Sequence, residues 1–361
     1  MIKFNDLSRQ QNKIYSNIQK SISRVLKHGK YIMGPEISEL ENKLSSFVNS
    51  KYCITVSSGT DALLISLMAL NIKKDDEIIT SPFSYFATSE IILMLGAKPI
   101  YVDIDQSTLN IDVTQVENKI SKKTKAIMPV SIFGQCAELS KLEKIAKKHK
   151  IYLIEDAAQS FGATHNGKKS CNFGDIGCTS FFPSKPLGCY GDGGACFTNN
   201  LLLAKRIKKL RIHGQYKSNH HSLIGTNARL DTIQAAILLE KFKLFEKEIK
   251  LRKKIANNYN KLILENCSNI KIPHILNNNE SVYAQYTVLV KNRSKVISNF
   301  KKNNIPYSIY YPLPAYKQKI FLNKDSTRLK NVEKITKEVF SIPMHPYLNY
   351  NEQSKIVKLL K

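Results

Sequence analysis

Residues 180–195, SFFPSKPLGCYGDGGA, hold one lysine, Lys185, between Pro183 and Pro186. Most lysines of this chain stand on polar, helix-like stretches where the charge is simply solvated. A lysine held in an apolar, conformationally restricted loop has its ammonium destabilised, which lowers its pKa and makes it an imine-forming amine. Ser180, five residues earlier, is placed to hold a phosphate. The glycines at 188, 191, 193 and 194 let the backbone turn tightly and approach a ligand.

Three further stretches could serve the same chemistry. In SSGTDALLISLMAL a strand gives way at Ser57, Ser58, Gly59 and Thr60 to a helix that begins near Asp61. Free N–H groups at a helix start, beside a glycine and a hydroxyl, make a phosphate cradle, although the same residues also serve as an ordinary helix cap. In SPFSYFATSE, Tyr85 and Phe86 follow a turn after a strand; they either pack in a core or stack on a flat cofactor. In IYLIEDAAQS, Asp156 ends a strongly apolar strand, with Gln159 three residues on. A carboxylate buried there needs a cation, a protonated ring nitrogen or several N–H donors. A phosphate cradle, an aromatic plate, a carboxylate for a pyridinium nitrogen and an imine-forming lysine are together what pyridoxal 5'-phosphate requires.

The elements that must position these residues alternate. YCITVSS, DEIITSP, PIYVDID, KAIMPVS and IYLIEDAA read as strands, and residues 60–71, 85–96, 112–121 and 138–149 as helices between them. This order predicts an α/β fold with a mainly parallel sheet, which binds ligands at the carboxyl ends of its strands. Residues 228–265 form a long amphipathic stretch, one or two helices. SVYAQYTVLVKN then alternates like a half-exposed strand, SKVISNFKKNNI is helical, and IPYSIYYPLPAY is extended and proline-rich. The expected division is a large α/β domain with an N-terminal arm over residues 1–240 and a smaller α+β domain over 241–361.

Lysine and arginine number 55 against 29 acidic residues, a formal net charge of +26. The lysines alternate with leucine, isoleucine and phenylalanine at helical spacing, as solvated helix faces do, and no nucleic-acid-binding motif is present. No nucleic-acid partner is therefore expected; a basic surface also attracts anionic metabolites. Seven cysteines form no C-x-x-C pair, and the adjacent His220 and His221 are poorly disposed to share an ion, so neither disulfides nor a metal is expected. No apolar run approaches the roughly 20 residues that span a bilayer, and the N-terminus lacks a signal peptide's apolar core. The expected location is the cytoplasm, without a membrane partner.

The four stretches, in this order, resemble the DegT-type nucleotide-sugar aminotransferases, whose fold is that of aspartate aminotransferase (fold type I). The likeness runs nearly end to end, through YIMGPEISELENKLSSF, SSGTDALL, EDAAQSFGA, SFFPSKPLGCYGDGGA, GTNARLDTIQAAIL, IYYPLPAY and SIPMHPYL. It implies that Lys185 carries the cofactor, that Asp156 pairs with the pyridine nitrogen and that Gln159 lies near the ring oxygen. Gly59, Thr60, Asp61 and Ser180 match the phosphate site, and Tyr85 the ring-stacking aromatic. Asn227 matches an asparagine that reaches the phosphate from the neighbouring subunit, which implies a homodimer with shared sites. Related sugar dehydratases carry histidine in place of the lysine; this chain keeps Lys185, which favours amino transfer. The lysine loop is similar to the branch acting on UDP-2-acetamido-2-deoxy-3-keto-glucuronate, with glutamate as donor, in cell-surface polysaccharide synthesis. In that branch Arg229, Tyr310 and Tyr311 match sugar contacts, although Tyr310 stands where histidine is frequent. The planar fork of Arg229 suits a carboxylate; its alternative is an ion pair with Asp231. A 4-keto- or 3-keto-6-deoxy sugar remains the alternative acceptor, and a basic nucleic-acid-binding regulator on the same fold the alternative of another class.

Overall fold

The computed structural model describes residues 1–321 and 328–361. Two helices, α1 (Leu7–His28) and α2 (Pro35–Val48), precede the alternating unit. That unit runs β1 (Tyr52–Val56), α3 (Gly59–Ala69), β2 (Glu77–Thr80), α4 (Ala87–Met94), β3 (Lys98–Tyr101), α5 (Val113–Val116), β4 (Thr124–Met128), α6 (Leu139–His149) and β5 (Tyr152–Asp156). After the short hairpin β6 (Thr164–His165) and β7 (Lys168–Lys169) come β8 (Ile176–Ser180), β9 (Gly194–Thr198) and α7 (Leu201–Leu210). A second hairpin, β10 (Gln215–Lys217) and β11 (His220–His221), leads into α8 (Thr232–Asn266), a single helix of 35 residues and about 50 Å. Residue 240, the expected end of the larger domain, lies inside it.

The main sheet has the order β1-β9-β8-β5-β4-β2-β3. Its pairs are parallel from β8 through β3, and β9 alone runs against the rest, between β8 and β1. Helices cover both faces. Ile54, Ile78, Met128, Ile154 and Ile176 pack in one core with residues of α3, α4 and α7. Their strand neighbours Cys53 and Phe197 pack with α2 and α8, and Ile79, Ile127 and Leu153 pack with α6. Burial on both faces is why these strands read as continuous apolar runs rather than as alternation.

The C-terminal part holds β12 (Ile270–Lys271), β13 (Asn279–Glu280), β14 (Tyr286–Val290), α9 (Arg293–Lys302), α10 (Lys330–Glu338), β15 (Val339–Ile342) and α11 (Tyr350–Lys358). Strands β12, β14 and β15 form one antiparallel sheet, and β13 joins the β6–β7 hairpin. The distal half of α8 supplies Ile255, Tyr259 and Ile263 to the core of this part.

The helix expected over 112–121 is one turn, α5, continued by a 3₁₀ turn over Glu117–Lys119. The N-terminal arm contains a helix of 22 residues, α1, whose inward positions include the polar Gln10 and Ser21 beside Ile14, Ile18 and Val25. Gln10 Nε2 donates to Glu248 Oε2 (2.7 Å) and Ser21 Oγ to Glu240 Oε1 (3.1 Å), both on α8. Only the partner helix makes those side chains fit an interior.

A buried ion pair fastens α2 to β1 and the end of α7. Arg211 Nη1 donates to Glu41 Oε1 (2.7 Å) and to the Thr55 carbonyl (2.8 Å), and the Arg211 side chain is 4% exposed. Glu41→Ala leaves this guanidinium buried without its carboxylate, so it is expected to destabilise the protein by about 3 kcal/mol or more. Urea midpoints at unchanged m-value measure the loss.

Candidate active site

The carboxyl ends of β1, β2, β5 and β8 meet at a cavity of 370 Å³. Gly59, Thr60, Tyr85, Asp156, Gln159, Ser180 and Lys185 all line it, joined by Tyr310 and Tyr311 from the C-terminal part. A larger open groove of 1050 Å³, lined by Lys73, Lys122, Lys125 and Lys150, holds none of these residues and also carries Thr124 and Tyr152, the first residues of β4 and β5. A doubly covered sheet of this kind binds ligands at the carboxyl ends of its strands.

Asp156 and Lys185 set the electrostatics. Asp156 is almost wholly buried. Thr88 Oγ1 donates to its Oδ2 (2.8 Å) and the Ala158 amide to its Oδ1 (3.1 Å). Burial pushes the carboxyl pKa up, while these two donors and the Lys185 charge pull it back. Lys185 shows the converse: desolvation holds its ammonium pKa below the ordinary 10.5, and Asp156 offsets part of the loss. The strand pleat sends Glu155 to the other face of the sheet, where the Ser170 and Ser131 hydroxyls and the Cys171 amide bond it. Burial raises its pKa to about 7, but it has no part in the cavity.

The start of α3 forms one end of the site. Ser58 caps it, its Oγ accepting from the Asp61 amide (3.0 Å). The Asp61 carboxylate accepts from the hydroxyls of Ser57 (2.5 Å) and Ser58 (2.9 Å). Asp61 is thus a brace behind the turn and does not line the cavity. A Cβ on Gly59 would stand 2.6 Å from Ser180 Cβ, and one on Gly194 would stand 2.4 Å from the Ser58 carbonyl oxygen. Glycine at both positions lets the helix start, β8 and β9 come together, with Ser180 beside the free N–H groups of the first turn.

Gln159 is held at both amide atoms: its Oε1 accepts from the Phe133 amide (2.8 Å) and its Nε2 donates to Tyr311 Oη (3.1 Å). Tyr85 lines the cavity while remaining 64% exposed, so it plates a mouth rather than a core. Asn227 and Arg229 lie outside the cavity. The Ser57 amide donates to the carbonyl of Ala228 between them (3.1 Å), so their segment runs beside the cradle. Arg229 Nε donates to Asn227 Oδ1 (2.9 Å), and among the described residues no ion pair joins it to Asp231.

Among the residues at or beside the site that the sequence did not single out are Thr88, Gln285 and Asn5. Thr88 stands three positions after Tyr85, one helical turn on, and that spacing could have marked it. Gln285 lines the cavity from the residue before β14, and nothing in the alternating SVYAQYTV run sets it apart. Asn5 sends its Nδ2 to the Ser184 carbonyl (2.9 Å), so the N-terminal segment braces the lysine loop. Among the described residues no cluster of histidine, cysteine or acidic side chains could hold a metal. No described helix is long and apolar enough to cross a membrane.

The donor set fits pyridoxal phosphate: a helix start and serine for the phosphate, a carboxylate with an edge free for a ring nitrogen, and a desolvated amine. Fold and cavity together define a pyridoxal-phosphate-dependent aminotransferase of fold type I. The chain belongs to the DegT/DnrJ/EryC1/StrS aminotransferase family, whose pattern matches residues 12–361. It is 51% identical, over 97% of its length and 96% of the relative's, to a UDP-2-acetamido-2-deoxy-3-oxo-D-glucuronate aminotransferase of Pseudomonas aeruginosa. A DegT/DnrJ/EryC1/StrS aminotransferase from Brucella abortus superposes with a TM-score of 0.95 at 36% identity, covering 100% of this chain and 98% of the other. NtdA from Bacillus subtilis, solved with bound cofactor PMP, does so at 0.91 and 31% identity, covering 97% and 81%.

Reductive labelling of Lys185 by pyridoxal phosphate and borohydride, read as a mass increment on its peptide, should rise with pH to a midpoint below 10.5. Asp156 raises that midpoint, so Asp156→Asn is expected to lower it further. An unchanged midpoint in the variant removes the coupling.

Proposed function

We propose that this protein moves an amino group from glutamate to the keto carbon of UDP-2-acetamido-2-deoxy-3-keto-glucuronate, a step in making a cell-surface polysaccharide. The observation that carries the reading is the meeting of the Lys185 amine and the Asp156 carboxylate beside the start of α3. The likeness to the Pseudomonas aeruginosa enzyme supports the choice of sugar.

When bound, pyridoxal phosphate supplies an aldehyde that captures amines and a ring that withdraws electrons. Lys185 is assigned the attachment of that aldehyde and, once its amine is free, the transfer of the proton at the donor's α-carbon. Its depressed pKa serves both tasks, since each needs the neutral amine. Asp156, held in register by Thr88 and the Ala158 amide, would keep a proton on the ring nitrogen. Gly59, Thr60 and Ser180 take the phosphate, with Asp61 as the brace behind them. Tyr85 would cover a ring face and Gln159 would lie by the ring oxygen.

Asn227 and Arg229 are assigned to the neighbouring subunit's site, Asn227 toward the phosphate and Arg229 toward the sugar carboxylate. Two observations support a homodimer of this kind. Both side chains stand outside their own chain's cavity. Exposed apolar side chains, Tyr31 at 49%, Ile32 at 45% and Phe182 at 50%, leave a surface that a second copy would cover. Tyr310 and Tyr311 contact the sugar from the C-terminal part.

The experiment incubates the holoenzyme with glutamate and UDP- and dTDP-linked keto sugars. The uronate should be strongly preferred, and Arg229→Met should lose that preference, because a buried carboxylate without its cation is costly. A wild type that aminates a neutral 4-keto-6-deoxy sugar as well as the uronate overturns the acceptor.

Shared sites carry their own test. Lys185→Ala and Asn227→Asp are each expected to be nearly inactive, the latter because its new carboxylate faces the phosphate. Mixed and reannealed, they should form some dimers with one site free of both lesions, so activity should partly return. If subunits exchange and activity does not return, Asn227 serves its own chain's lysine.

A further inference from the structure

Gln285 belongs to the cavity wall contributed by the C-terminal part, with Tyr310 and Tyr311. Its Oε1 is shut off from solvent, and among the described residues no donor reaches it. The contrast with Gln159 is informative, because the protein holds both amide atoms of that residue. A carboxamide acceptor left without a donor carries a desolvation cost that a satisfied one does not. Neither Asp156, Thr88 nor Gln159, the polar groups whose bonds are closed within the site, engages it. Gln285 also borders a second hollow of 30 Å³ beside Ile132, Phe133 and Ile272. Gln285 thus has open space on two sides, and a carboxamide turns softly about its last side-chain bond, a rotation that exchanges oxygen and nitrogen.

We infer that Gln285 is a sugar-binding residue, whose carboxamide oxygen accepts a hydrogen bond from an N–H or O–H of the acceptor sugar. The inference rests on the acceptor proposed above. What each substrate offers decides between them. Glutamate enters with two carboxylates, which are acceptors, and with the one nitrogen it gives up. It brings no donor that can stay with Oε1. A nucleotide-linked 2-acetamido sugar brings ring hydroxyls and an amide N–H. The missing partner of Gln285 is therefore on the sugar, and the residue discriminates between the two half-reactions that share the cavity.

Gln285→Met keeps the length of the side chain and removes both polar atoms. Calorimetric titration of the holoenzyme uses three unreactive ligands: UDP, UDP-glucuronate and UDP-2-acetamido-2-deoxy-glucuronate. The variant should bind the sugar nucleotides roughly fivefold more weakly, as loss of one hydrogen bond predicts, with affinity for UDP and KM for glutamate unchanged. A loss confined to the acetamido ligand assigns the amide N–H; an equal loss for both sugars assigns a hydroxyl. The melting temperature should hold or rise, since the substitution removes an unsatisfied acceptor; a purely structural glutamine would lower it. Gln285→Ala repeats the comparison with a smaller side chain. If wild type binds the sugar nucleotides more tightly than UDP and the variants match it, the role of Gln285 is overturned and the acceptor stands. An equal weakening of UDP, or a parallel rise in KM for glutamate, overturns it as well. If wild type draws no affinity from the sugar, the acceptor falls and this inference with it.

Discussion

An amine and a carboxylate share one desolvated cavity, and the charge on each depends on the other. Burial works against both charges: it raises the pKa of Asp156 and lowers that of Lys185. Their attraction, and the hydroxyl of Thr88 and amide of Ala158 on the carboxylate, offset part of that effect. A shift of either environment moves both groups. The rest of the molecule is arranged to bring this pair to one cavity.

The sheet is the means of fixing it. Asp156 is the last residue of β5 and Ser180 the last of β8, neighbouring parallel strands in which Asp156 pairs with Cys178. The pleat therefore sets Asp156, Cys178 and Ser180 on one face and drives Glu155 to the other. The start of α3 is pressed against Ser180 by the absence of a side chain on Gly59. The lysine loop is returned to the sheet by β9, the only main-sheet strand that runs against the others.

The charge of the chain acts at longer range. With 55 basic and 29 acidic residues the surface is strongly positive. Such a field raises the encounter rate of anionic ligands, an effect that salt weakens. Surface lysines carry no specificity of their own. That belongs to groups inside the cavity, where each polar atom must be matched or left in deficit.

Local physics wrote much of this protein into its sequence. The apolar runs ending in SSGT, SPFSY and EDAAQ mark strand ends, and strand ends of a parallel sheet are where ligands bind. A lysine between prolines in an apolar loop is legible because a solvated lysine has no need of such a place. Other features depend on contacts distant in the chain. Helix α1 was hidden because Gln10 and Ser21 become interior residues only opposite Glu248 and Glu240. Asp61 sits in the cradle motif, yet the hydroxyls of Ser57 and Ser58 turn it away from the cavity. Gln285 joins the site across a hundred residues of chain from Lys185, from the position just before β14, a strand that is buried along its whole length although its sequence alternates like a half-exposed one. Sequence periodicity reports which way a side chain faces along its own element. Whether its polar atoms find partners is decided by the other elements packed against it, and only the tertiary structure contains that.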